Sequence, residues 1–179
     1  AEKNDLIQAR TDVLIAKVRK VGGSEADIAA LSAAAANAEG IATQIAALDL
    51  STQAGRQDAK RLKEQLDLAS RTRVVSAINQ AKVETAETLV DKIETAMQAA
   101  EFVSPCVTEF GAFRSLATAA RTAYGAVGTA NTESVQGATT AARNAWRAAR
   151  TAWGALGTCA LRVAGVNSYE SCVAEGGDV

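Results

Sequence analysis

The chain has 179 residues with 19 basic and 20 acidic side chains, so its formal charge of -1 offers no basic field for sequence-independent binding to nucleic acid. Alanine fills 41 positions while aromatics fill seven and proline one, which excludes a sheet-rich domain and points to long helices. Histidine is absent. That removes the commonest general base and metal ligand, and with them triads of the Ser-His-Asp and Cys-His types.

The first residue is Ala1, and the expectation is a processed or excised piece of a longer chain with no signal or targeting segment in view. From Leu6 to Leu48 the apolar positions keep one heptad phase through Ile7, Leu14, Val21, Ile28, Ala35 and Ala42. Gly22-Gly23-Ser24, with Asp27 three residues after the serine, reads as a helix stop followed by an N-cap. The unbroken phase favours instead one helix, weakened or kinked at the glycines. Residues 28–48 are poor in charge, but Ser32, Asn37, Thr43 and Gln44 interrupt them, so the stretch reads as a buried helix face and not as a membrane span.

Leu48 to Gly55 breaks the pattern, with Ser51 or Thr52 able to cap the next helix. Helical spacing resumes at Leu62, Leu66, Ala69, Val75 and Ile78 and continues to Ala100. The expectation is a long antiparallel hairpin over residues 2–101, each arm on the order of 65 Å at 1.5 Å per residue. Val103-Ser104-Pro105-Cys106 ends the second arm, because proline cannot continue a helix and biases Ser104 away from helical geometry.

The last third carries an internal repeat. Residues 120–130 match 149–159 at eight of eleven positions, with Tyr124, Val127 and Ala130 standing where Trp153, Leu156 and Cys159 stand in the second copy. Gly128 to Ser134 collects turn residues, which predicts two shorter helices at about 108–128 and 134–160, folded back on each other. This would return Cys159 to the end of the molecule where Cys106 starts, making Cys106–Cys159 the first-choice bridge and Cys172 spare or an alternative partner. Were the third helix unbroken, Cys159 would pair with Cys172. Residues 166–179 read as an irregular tail, and the whole chain as a single elongated all-α domain.

No cofactor or metal is expected. Trp146 and Trp153 lie one heptad apart on the seam Ala142, Ala149, Leu156, Val163, as bulky fillers of an alanine-lined core. Arg143, Arg147 and Arg150 flank them and could stack bases, but no broad basic surface accompanies them. Gly125, Gly128, Gly154 and Gly157 fall on the small face of the repeat, where they would let helices approach closely. Glu84 with Glu87, and Asp91 with Glu94, read as solvated helix surface beside Lys82 and Lys92.

Alanine dominance, long heptad helices, a Pro-Cys break and a cysteine-containing tail rich in Ala-Arg-Thr-Ala and Gly-Thr elements together resemble the alanine-rich surface proteins of trypanosomes. The resemblance is in particular to the glutamic acid/alanine-rich coat protein of the insect stages and its relatives, although glutamate is not abundant here. The resemblance implies a bundle similar to that of variant surface glycoproteins and a non-enzymatic coat glycoprotein on the outer face of the plasma membrane. It also implies a glycosylphosphatidylinositol anchor and a steric shielding role. Elongated helical receptors for host or vector macromolecules belong to the wider group, and such a receptor should show an exposed apolar patch along one helix face. An intracellular helical adaptor is the reading left if the cysteines stay reduced.

Overall fold

A computed structural model describes the backbone over residues 2–99 and 104–174. The chain is an all-α bundle of α1 (Glu2–Lys20), α2 (Glu25–Ala46), α3 (Gln53–Ala69), α4 (Val75–Ala99), α5 (Val107–Thr129) and α6 (Val135–Ala174). It exposes 10988 Å² of surface. A globular protein of the same mass exposes about 8,200 Å², so the bundle is elongated.

The first arm is not one helix. The Gly22 N–H donates to Arg19 O and the Gly23 N–H to Val18 O, at 3.0 and 2.8 Å, with Gly22 at φ +75°. These are the paired bonds of a Schellman stop, which needs a left-handed residue that only glycine adopts without strain. Ser24 then caps α2 by accepting the Asp27 N–H at 3.2 Å and donating its hydroxyl to the Asp27 carboxylate at 2.6 Å. The chain reverses here, and Leu14 and Val18 of α1 share a core with Ile28 and Leu31 of α2 and Ala81 of α4. The stop and the cap satisfy the backbone groups that the break exposes, and the reversal buries Leu14 and Val18 against Ile28 and Leu31, which one continuous helix could not do.

Thr52 caps α3, its hydroxyl accepting the Gly55 N–H at 3.0 Å. Gly55 is obligatory, since a Cβ there would lie 1.9 Å from Asp49 O. Asp49 takes both the N–H and the hydroxyl of Ser51, which hold its carboxyl below the usual carboxylate range. The second arm runs on from α3 to α4 through a single wide π turn at Ser70–Val74. The extra residue turns Val74 inward while Arg73 points out to the Asn37 side-chain carbonyl at 3.1 Å.

α4 is the shared element. On one side it meets the α1–α2 hairpin. On another, Val83, Ala86 and Val90 join Phe110, Phe113 and Val127 of α5 and Ala142 and Leu156 of α6 in the larger core. α5 runs antiparallel to α4, and the end of α5 comes close: Gly128 has room for its backbone beside Ser76, and the Ser76 hydroxyl donates to Tyr124 O. Asn131 and Ser134 tie the turn into α6, with Asn131 Oδ1 accepting the Ser134 N–H at 3.0 Å. α6 continues as helix to Ala174, so the irregular tail expected from residue 166 is helical over most of its length.

The reversal at Gly22 has a sign that measurement can read. Gly22→Ala forces a side chain into left-handed backbone and should lower stability by about 1 kcal/mol. Gly40→Ala, inside α2 with open space around it, should raise stability by about 0.5–1 kcal/mol. Urea unfolding of both variants checks this; stabilisation by both would mean that the first arm is one continuous helix.

Candidate functional site: a groove over α4 and the seam behind it

The Cys106 and Cys159 sulfurs are bonded, with their Cα atoms 5.9 Å apart. The bridge joins the start of α5 to α6 and closes the larger core at one end. Both cysteines are buried. Cys172 lies within α6, and its side chain is outside the described residues.

Around α4 the side chains are sorted by azimuth. Glu84, Glu87, Asp91 and Glu94 lie toward α5, where Arg121 meets Glu84 and Glu87 at 3.4 and 3.3 Å. One heptad back, Arg114 bonds Asp91 at 2.8 Å and also Glu94, which keeps its guanidinium firmly charged. These carboxylates are therefore an interhelical seam and not free solvated surface. The signal was in the sequence: Glu84/Asp91, Glu87/Glu94 and Arg114/Arg121 all repeat at seven residues, as pairing across a helix interface requires.

Glu84 also faces Asp27 at the start of α2. Its pKa is pushed up to about 7, first by burial, then by the hydrogen bond and negative charge of Asp27, with Arg121 opposing. Burial likewise raises Glu87. Three carboxylates thus gather between α2, α4 and α5, and Arg121 pairs with the two of α4.

The opposite azimuth of α4 is covered by no helix among the described residues. One part of it, with α1, forms a groove of about 590 Å³ lined by Arg10, Val13, Lys17, Val75, Ile78 and Lys82 among others. The other part, with α6, forms a groove of about 400 Å³ lined by Lys82, Ala86, Leu89, Trp146, Arg150 and Trp153. Lys82 lines both, so the two grooves adjoin along α4 and are together called its channel. The tryptophans are half-buried against the larger core, and Trp153 meets Phe113 edge-on with ring centroids 5.4 Å apart.

The glycines of the repeat divide by element. Gly125 and Gly128 do bring α5 close to α4, whereas a Cβ on Gly154 or Gly157 would meet nothing within 4 Å. Close approach is thus a property of the first copy alone. Among the described residues no cluster of His, Cys, Asp and Glu could hold a metal ion, and no helix is long and apolar enough to cross a membrane.

Compared with known proteins, the chain matches no family model, no curated protein and no solved structure.

A carboxyl whose folded pKa lies above its unfolded value stabilises the fold below that unfolded value and loses the contribution as pH rises through the folded one. For Glu84 the window runs from 4.5 to about 7. After allowance for solvent screening, stability should fall by about 1 kcal/mol across it. Glu84→Gln should flatten the profile and raise the Tm above neutral pH by about 2–4 °C. Thermal unfolding across this window tests it, and a wild-type profile as flat as the variant's would remove Glu84 as the cause.

Proposed function

We propose that this chain is the folded, outward-facing part of a non-enzymatic cell-surface coat glycoprotein, attached through a glycosylphosphatidylinositol anchor and acting by bulk. The observation that carries the reading is the Cys106–Cys159 bridge in an elongated helical bundle. Such bonds persist in oxidising compartments and are rare in the cytosol. A 40-residue α6, about 60 Å long, gives the rod the reach that a steric layer needs. Its alanine-lined helices pack close, so each molecule occupies little membrane area for its height.

A second reading is favoured by a separate observation. The channel over α4 is an exposed apolar patch along one helix face, the feature an elongated surface receptor for a host or vector macromolecule would carry.

Antibody raised to the folded chain should label intact, unpermeabilised cells of the organism that makes it, and phosphatidylinositol-specific phospholipase C should release that label. Labelling seen only after permeabilisation would overturn the surface assignment. The bridge has its own test. It closes a loop with a sequence separation of 53, so Cys106→Ser should cost about 4 kcal/mol of stability. The urea midpoint of protein secreted through an oxidising compartment measures it, with intact mass before and after reduction reporting the bond.

A further inference from the structure

We propose that the channel over α4, between α1 and α6, is a docking site for an acidic amphipathic helix of a partner protein. This rests on the receptor reading and gives it a partner chemistry, but it is tested in solution and does not depend on any anchor.

Two of the large hydrophobics exposed among the described residues, Val13 and Val75, line the channel, and Leu6 and Ile93, also exposed, continue the same two helix faces beyond it. On α1, Leu6, Arg10, Val13 and Lys17 follow helical spacing. On α4, Val75, Lys82, Leu89 and Ile93 lie within about 40° of one another, at 100° per residue. From Val75 to Leu89, the α4 residues that line it, the channel floor runs about 21 Å, or four helical turns. α1 and α6 both run parallel to α4 at its two sides, and among the described residues no further helix lies between them. That is the shape of a bundle lacking one helix, where an apolar face reading i, i+3/i+4, i+7 would enter.

The charge selects the occupant. Arg10, Lys17, Lys82 and Arg150 line the channel, and among the described residues no carboxylate does. Over residues 135–164 α6 holds four arginines and no acid. The carboxylates of α4 point the other way, into the seam with Arg114 and Arg121. A nearly neutral chain thus presents one face that is apolar along its floor and cationic at its rim. An acidic helix complements both. Single-stranded nucleic acid would find cations and two tryptophans, but the aliphatic floor offers its bases no further stacking surface.

The test uses the whole oxidised chain and a synthetic helical peptide of about four turns, with leucine on one face and glutamate around it. Trp146 and Trp153 are the chain's two tryptophans. Their fluorescence should change on saturable binding, and the affinity should fall as salt rises. The double variant Lys82→Glu/Arg150→Glu should bind at least about tenfold more weakly with unchanged circular dichroism and Tm, since both side chains are exposed. Val13→Asp, on the opposite wall, should weaken binding independently. Equal binding of a lysine-for-glutamate peptide, tighter binding of oligodeoxythymidylate, or no binding at millimolar peptide would each overturn the proposal. So would sedimentation showing that the chain dimerises through this face, with the double variant monomeric.

Discussion

α4 has to bury two faces at once, and the rest of the bundle is arranged around that demand. One face meets α1 and α2 through Ala81, the other meets α5 and α6 through Val83, Ala86 and Val90. A helix has one circumference to distribute. With small side chains on both faces the neighbouring helices can crowd in on the α2–α5 side, where the carboxylate-arginine seam fills the narrow wedge. On the α1–α6 side the bulk of Trp146 and Trp153 stands between α6 and α4, and a channel remains. Crowding on one side and openness on the other are consequences of the same placement.

Charge follows the same division. Alanine-rich helices have little hydrophobic area per residue to specify which faces meet, so register falls to the few large residues and to paired charges. Arg114 and Arg121 each reach two carboxylates of α4, fixing the sliding position of α5 to within a heptad. At the other end the Cys106–Cys159 bond sets α6 against α5. Electrostatic registry at the middle and a covalent clamp at the end together compensate for a thin core. The cost of the seam is partial burial of carboxylates beside one another, and the pKa of Glu84 is raised first by that burial and then by Asp27.

Much of this was legible in the residues. The helix ends at Leu48–Gly55, at Pro105 and at Gly128–Ser134 are marked by residues whose backbone preferences allow little else. The bridge followed from the turn between α5 and α6. The reversal at Gly22-Gly23 was equally marked, yet the heptad phase of Val21 and Ile28 argued for continuity. Phase is a statement about which residues are apolar, and two packed helices of a hairpin satisfy it as well as one long helix. Backbone hydrogen bonding separates the two cases, because a left-handed glycine and a serine cap account for groups that apolar periodicity ignores.

The all-helical class, the places where the chain turns and the ability of Cys106 and Cys159 to meet are all written in the order of residues, because they depend on local backbone preference and on chain reversal. Tertiary packing settled the rest: the carboxylates of α4 face arginines, while Val75, Lys82 and Leu89 on the same helix face an unfilled channel. Both sets recur at helical spacing along the same element. Which set is covered depends on the azimuth at which α1, α5 and α6 approach, and that is fixed by contacts between residues far apart in the chain.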